Sequence, residues 1–263
     1  MSIIAIAKNI SEEPPAEEYT EPPFIAQMTT LSETAVTTTV TTAEATAVTT
    51  TAAATVAEDY EKDYFSDWLF IGDSIFTGLY GYDYLDSSQV FAKIGFTPEN
   101  IRTSDINGTT VYQKLAVAKP ETICIMLGTN GVAYLTAEQM AADYGKFIDE
   151  IRDLLPDSKI IILTITPVTK EHSDQKPENL TLITAYNEAL AVLAEEKETD
   201  FLDVFEDLSD DDDYTKSEYA ENDGLHLKSA AYARILSLLE TYTKGEEETE
   251  SAANTEQSGE TAE

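Results

Sequence analysis

Short runs of apolar, β-branched residues recur along the middle of the chain, and segments with helical periodicity separate them. Runs that are apolar on both sides suit the central strands of a parallel sheet, because helices cover both faces of such a sheet. The alternation therefore predicts an α/β fold, with helices on both faces of a central, mostly parallel, five-stranded sheet. The predicted strands span residues 68–71, 90–94, 122–127, 159–165 and 201–205, and the predicted helices span residues 110–118, 136–155, 178–197 and 229–242.

The alternating pattern occupies residues 64–244, which we predict to form one folded domain. Residues 1–63 are rich in Thr, Ala and Pro and show no recurring bulky apolar face, so we expect a disordered linker there. Thr-rich tracts of this kind often act as stalks between an anchor and a catalytic module. Residues 245–263 are rich in Glu and contain no aromatic residue, so we expect an acidic disordered tail.

The formal net charge of −34 restricts the partners of the chain. An acidic surface repels nucleic-acid backbones and anionic lipids, so we do not expect nucleic-acid binding. Repulsion between like-charged copies favours a monomer. The sequence has no run of eighteen apolar residues, so we expect no transmembrane segment.

The stalk-like tract favours an extracellular or cell-surface location, and a cytoplasmic location is the alternative. The apolar start, MSIIAIAKNIS, has no basic segment before it and is too short for a signal peptide. The single cysteine, Cys124, excludes an internal disulfide and lies within an apolar run. We therefore expect a buried, unreactive thiol.

Ligands of parallel sheets bind beyond the carboxyl ends of the strands, so the residues that follow each predicted strand are candidates for a site. Ser74 follows the first strand within Gly72-Asp73-Ser74. A turn before a helix would expose its hydroxyl and place its N–H at a helix N-terminus, where developing negative charge is stabilised. Taken alone, the tripeptide also fits a plain helix cap.

Two further candidates follow the next two strands. Gly95 could offer a free backbone N–H, and Asn130 could donate its side-chain amide to an oxyanion. Each residue taken alone fits an ordinary turn equally well.

Asp223 and His226 lie directly before the last predicted helix. Their three-residue spacing lets the carboxylate contact one ring nitrogen and leave the other nitrogen to act as a base. The only other histidine is His172, after the fourth strand, where Asp174 is close but lacks a comparable turn spacing. We therefore favour His226 as the base and expect His172 to line the substrate crevice or to be exposed.

Taken together, these residues supply a nucleophile, a base, an acid that orients the base, and oxyanion donors, which is the set that acyl transfer requires. Gly-rich phosphate loops and zinc-type His/Cys clusters are absent from the sequence, so we expect neither a cofactor nor a metal. The acidic run at residues 210–213 lacks the spacing of a calcium loop, and we interpret it as a solvated loop.

With these motifs in place, the sequence resembles the GDSL/SGNH hydrolase family over residues 67–239. The family's sequence blocks are matched by Gly72-Asp73-Ser74, by Gly95, by Gly128-Thr129-Asn130 and by Asp223-Gly224-Leu225-His226. The resemblance implies a three-layer α/β/α, flavodoxin-like fold with Ser74, His226 and Asp223 as a catalytic triad. It also implies oxyanion donors from the N–H of Ser74, the N–H of Gly95 and the side chain of Asn130.

The chain departs from the family pattern at Gly131, where the third block often ends in Asp. That change removes a supporting hydrogen bond and none of the reacting groups. We expect a serine esterase that hydrolyses carboxylic esters through an acyl-enzyme, with small acyl groups on carbohydrate as the first candidate substrate. The alternatives are a lysophospholipase-like or thioesterase-like acyl hydrolase, an O-acyltransferase with the same triad, and a non-catalytic surface binding module.

Overall fold

The computed structural model describes residues 60–259, and for residues 247–259 it describes the backbone alone. Most of the expected N-terminal linker and the last residues of the expected acidic tail therefore lie outside the described residues. Tyr60 packs against the hydrophobic core, and Lys62–Phe65 forms a 3-10 helix. The folded part thus reaches back at least to Tyr60, which is four residues before the predicted boundary at residue 64.

All five predicted strands are present, with somewhat different ends, and a small hairpin accompanies them. The strands are β1 (Trp68–Gly72), β2 (Val90–Ala92), β3 (Asp105–Ile106), β4 (Thr109–Thr110), β5 (Thr122–Met126), β6 (Lys159–Leu163) and β7 (Asp200–Leu202). Five of them form a fully parallel sheet in the order β2-β1-β5-β6-β7, and β3 pairs with β4 as the hairpin. The prediction of a central five-stranded parallel sheet is confirmed.

The four predicted helices are also present, and of three further short helices one precedes them and two lie between them. The helices of the described part are α1 (Thr77–Gly81), α2 (Val111–Ala118), α3 (Ala137–Leu154), α4 (Lys170–Gln175), α5 (Leu180–Lys197), α6 (Phe205–Leu208) and α7 (Ser229–Gly259). Helices α2, α3 and α5 pack side by side on one face of the sheet, and α1 contacts α7 on the other. The fold is therefore a three-layer α/β/α sandwich.

Helix α7 continues through residues 245–259, where we expected the disordered tail. Glu is the commonest residue in this stretch, and it favours the helix once a packed segment has nucleated it. The structure thus gives a helical backbone to residues 245–259, and the predicted domain boundaries stay a prediction. None of the helices in the described range combines the length and the apolar character that crossing a membrane requires.

The order of the strands fixes the place where a ligand binds. From β1 the chain moves outward to β2, and it then returns to β5 on the opposite side of β1. A crevice opens beyond the carboxyl ends of two neighbouring strands where the winding direction reverses in this way. The turns after β1, β2 and β5 therefore meet at one edge of the sheet. The core beneath them includes Cys124, which is fully buried as expected.

Candidate active site

Ser74 lies in a tightly packed turn between β1 and α1, and only 6% of its surface is exposed. The hydroxyl of Tyr232, from α7, donates to the carbonyl of Ile75 at 2.8 Å and holds the turn against the last helix. A Cβ atom at Gly72 would lie 2.7 Å from the carbonyl oxygen of Met126, so only glycine fits there. Ser74 is therefore held on a rigid and largely buried support.

The carboxylate of Asp73 joins two turns of the site. It is fully buried, and it accepts hydrogen bonds from the N–H of Ile75 at 3.1 Å and from the N–H groups of Gly128 and Thr129 at 3.3 and 3.0 Å. Burial raises the pKa of Asp73, while the three N–H donors favour the ionised form and oppose that rise. The position of Asp73 between Gly72 and Ser74 signals a local function, but its hydrogen bonds to the turn after β5 are not visible in the local sequence.

Asn130 links the turn after β5 to the turn after β2. Its side-chain amide donates to the carbonyl of Phe96 at 3.2 Å, and Phe96 is the residue next to Gly95. An amide carries two N–H groups, so this contact leaves a second donor for a ligand. Gly95 is exposed and has a φ of +84°, a left-handed conformation that favours glycine. The structure thus brings Asn130 beside the loop that contains Gly95.

The departure from the family pattern at Gly131 has a steric explanation. A Cβ atom at this position would lie 2.7 Å from the Cε atom of Met140 on α3. Gly128, in the same turn, has a φ of +144°, and a Cβ atom there would lie 2.2 Å from Tyr186 on α5. The turn after β5 therefore packs directly against two helices, and an Asp at position 131 would need Met140 to move.

Asp223, His226 and Ser74 form a continuous chain of hydrogen bonds. The Oδ2 atom of Asp223 lies 2.7 Å from Nδ1 of His226, and Nε2 of His226 lies 3.1 Å from Oγ of Ser74. The Oδ1 atom of Asp223 also accepts the N–H groups of Leu225 and His226, at 3.0 and 2.9 Å. The hydrogen bond from the His226 ring is the main reason why the pKa of Asp223 is held below its usual range, and these two N–H groups also contribute.

The turn that carries Asp223 and His226 is more exposed than the turn of Ser74. About half of the Asp223 side chain is exposed, and so is 28% of the His226 side chain. Glu221 supports the turn because its N–H donates to the carbonyl of His226 and its carbonyl accepts the N–H of Gly224. The hydroxyl of Tyr82 in turn donates to the carboxylate of Glu221 at 2.9 Å.

The expectation of an exposed His172 is wrong, because the side chain is buried. It is 7% exposed and lies in α4, behind the turn of Asp223. Its Nδ1 atom is 3.0 Å from the carbonyl oxygen of Asp223, and its Nε2 atom is 3.7 Å from a carboxylate oxygen of Glu178. Asp174, the carboxylate considered as its partner, pairs with Lys170 on the surface instead.

Within residues 60–259, no three His, Cys, Asp or Glu side chains come close enough together to hold a metal ion. The acidic run at residues 210–213 forms an exposed turn, in which the carboxylate of Asp210 accepts the N–H groups of Asp212 and Tyr214. This arrangement agrees with the interpretation of the run as a solvated loop.

The fold is a three-layer α/β/α sandwich, and a serine, a histidine and an aspartate are hydrogen-bonded in series at the carboxyl edge of its parallel sheet. This arrangement is typical of hydrolases that act on acyl groups. Residues 70–234 match the GDSL-like lipase/acylhydrolase family. This match covers more than half of the chain, and the protein belongs to that family. The family name denotes enzymes that hydrolyse ester bonds.

Solved structures with the same fold come from several bacteria. A proposed platelet activating factor from Streptococcus pneumonia shares 23% identity, with a TM-score of 0.50 over 67% of this chain and 83% of the other. A proposed acylhydrolase from Bacteroides fragilis shares 16% identity, with a TM-score of 0.51 over 67% of this chain and 86% of the other. At these identities the likeness shows the fold alone. Among curated proteins, none matches the chain.

Proposed function

We propose that the protein is a serine esterase that hydrolyses carboxylic esters through an acyl-enzyme on Ser74. The observation that carries the proposal is the unbroken series of hydrogen bonds from Asp223 through His226 to the Ser74 hydroxyl. A serine hydroxyl is a weak nucleophile unless a neighbouring base takes its proton, and a histidine needs an acceptor on its other nitrogen to hold the required tautomer. Both requirements are met at distances within hydrogen-bond reach.

The reaction begins when Nε2 of His226 takes the proton from Ser74 as Oγ attacks the ester carbonyl. The carboxylate of Asp223 stabilises the imidazolium that forms, and its low pKa keeps it ionised. The N–H groups of Ser74 and Gly95 and the amide of Asn130 donate to the oxyanion of the tetrahedral intermediate. His226 then returns the proton to the leaving alcohol, and water releases the acid from Ser74 by the same steps.

Small acyl groups, such as acetyl esters of carbohydrates, are the substrates that we propose. Long acyl chains would need an apolar surface near Ser74, and the apolar side chains that follow it in sequence are the first candidates. Phe76 and Leu79 are fully buried, and Phe96 is 3% exposed, so all three belong to the core. Their burial supports a site that accepts a short acyl group.

The direct test is hydrolysis of a series of p-nitrophenyl esters, from acetyl to long-chain acyl, by the wild type and by Ser74→Ala. Ser88→Ala provides the matched control, because Ser88 is an exposed serine of the same domain. The proposal requires wild-type and control turnover that is highest for acetyl, with loss of activity in Ser74→Ala. A folded wild type that is no faster than Ser74→Ala on every ester would reject the esterase and favour an acyltransferase or a binding module.

A further inference from the structure

The second histidine of the chain, His172, makes its hydrogen bond to the main chain of Asp223. A carbonyl oxygen only accepts hydrogen bonds, so the Nδ1 atom of His172 must carry the proton and donate it across the observed 3.0 Å. The imidazole is more than nine-tenths buried. A buried polar atom is costly unless it is paired, and the hydrogen bond to Asp223 satisfies Nδ1, whereas Nε2 has no hydrogen-bond partner among the described residues and lies 3.7 Å from Glu178.

The loop that carries His172 holds the same turn at a second point. The N–H of Thr169 donates to the carbonyl of Gly224 at 2.9 Å, and the Thr169 hydroxyl accepts the N–H of His172 at the start of α4. Gly224 has a φ of +74°, and a Cβ atom there would lie 2.2 Å from the Thr169 hydroxyl. Two successive carbonyls of the turn, those of Asp223 and Gly224, are thus fixed from the buried side.

The opposite side of this turn faces solvent, since about half of the Asp223 side chain is exposed. The Asp223 carboxylate must nevertheless stay within 2.7 Å of the His226 ring for the hydrogen-bonded series to persist. Small displacements of such a group strongly affect catalysis, because the reacting atoms must remain aligned. The hydrogen bonds from His172 and Thr169 therefore restrain the main chain of Asp223 from the buried side.

We propose that His172 is a positioning residue, which holds the main chain of Asp223 through its Nδ1–H so that the carboxylate remains on His226. This inference rests on the proposed function and deepens it. His172 makes its hydrogen bond to the main chain of Asp223, and its proposed effect on the His226 ring passes through that residue.

Three variants separate this role from simple core packing. His172→Asn places its amide N–H near the position of Nδ1 and keeps the donor, whereas His172→Leu keeps similar bulk without a donor. Glu171→Gln is the matched control, because Glu171 is exposed on the same helix. For p-nitrophenyl acetate, we expect kcat of the Leu variant to fall between about 5- and 100-fold, with KM changed less than about twofold. The Asn variant and the control should stay within about twofold of the wild type in kcat.

A second readout follows the hydrogen bond itself. The proton between Nδ1 of His226 and Asp223 should give a low-field NMR signal in the wild type, in His172→Asn and in Glu171→Gln, and this signal should disappear in His172→Leu. A Leu variant with wild-type kcat and an intact signal would overturn the proposal, and so would an Asn variant as impaired as the Leu variant.

Two further outcomes keep the test decisive. If His172→Leu does not fold, His172→Gln replaces it, because the longer side chain carries its amide toward the position of Nε2 and should be impaired in the same way. If the wild type hydrolyses no ester, the proposed function fails, while the NMR signal still decides whether His172 holds Asp223.

Discussion

The two turns that meet at the site are built in different ways. The turn of Ser74 is buried, and the fully buried carboxylate of Asp73 ties it to the turn after β5. The turn of Asp223 and His226 is half exposed, and it is held by hydrogen bonds that lead back to Tyr82, Thr169 and His172 on neighbouring elements. One half of the site is thus part of the core, and the other half is attached to its surface.

Because the two turns differ in burial, substitutions in them should differ in their effects on folding and on activity. Removal of a buried hydrogen-bonded group leaves unsatisfied polar partners and lowers the free energy of unfolding. A half-exposed group can exchange its lost partner for water, so its removal costs little stability. Substitutions around Ser74 should therefore lower both the free energy of unfolding and the activity. Substitutions in the turn of Asp223 should lower the activity with little loss of stability.

The largest effect with the least loss of stability is expected for Asp223→Asn. An amide at this position favours the wrong tautomer of His226, and kcat for p-nitrophenyl acetate should fall on the order of 10⁴-fold. The free energy of unfolding, measured by urea denaturation, should fall by less than about 1 kcal/mol. Asp211→Asn, at an exposed carboxylate, is the control, and a large loss of stability in Asp223→Asn would break the comparison.

Asn130→Ala should have the next largest effect. The variant loses one of the proposed oxyanion donors, and kcat should fall by about 10²- to 10³-fold, which corresponds to roughly 3 kcal/mol in the barrier. The variant should stay folded by circular dichroism, although the contact with the Phe96 carbonyl is lost. Turnover near that of the wild type would remove Asn130 from the site.

Asp73→Asn tests the buried half directly. The N–H₂ group of Asn would replace one of the two carboxylate oxygens and would face the N–H groups that now donate to that oxygen, so the free energy of unfolding should fall by about 1–3 kcal/mol. Activity should fall as well, because the turns of Ser74 and Asn130 would separate. An Asp73→Asn variant as stable as Asp223→Asn would show that the two halves do not differ.

The smallest expected effect concerns pH: the contributions of Asp223 and Asp73 to the free energy of unfolding should change in opposite directions with pH. The pKa of Asp223 is lowered on folding, so its stabilising contribution is present above the unfolded pKa of about 4 and is lost as pH falls through the folded pKa. The pKa of Asp73 is raised, so its contribution is largest below the unfolded pKa and is lost as pH rises through the folded pKa.

Urea denaturation at several pH values measures this opposition. As the solution is acidified, the stability difference between the wild type and Asp223→Asn should shrink, and the difference between the wild type and Asp73→Asn should grow. If both stability differences changed in the same direction with pH, the opposite pKa shifts of Asp73 and Asp223 would be contradicted.

The sequence predicts the sheet well because its strands are apolar on both sides, and such short runs must be buried on both faces. The long helices follow from their periodicity, and the structure shows that the side chain of Thr136 caps α3 by accepting a hydrogen bond from the N–H of Gln139. The helices α1, α4 and α6 contain six residues or fewer, which is too few for a periodic signal.

The site could be predicted only as far as local motifs reach. Asp223 and His226 are three residues apart and follow from spacing alone, and Ser74 follows from its place after the first strand. The roles of Asp73 and His172 depend on partners 55 and 51 residues away, and no local pattern reports such contacts. The burial of His172 is therefore visible only in the folded structure.

The most direct test of the central claim is covalent labelling of Ser74 by a p-nitrophenyl phosphonate, followed by peptide mass spectrometry. The wild type should carry one adduct on the peptide that contains Ser74, and the adduct should form far more slowly in His226→Ala, since the base that activates the hydroxyl is gone. An inhibitor that abolishes ester hydrolysis while leaving Ser74 unmodified, or that labels a different residue, would contradict the account.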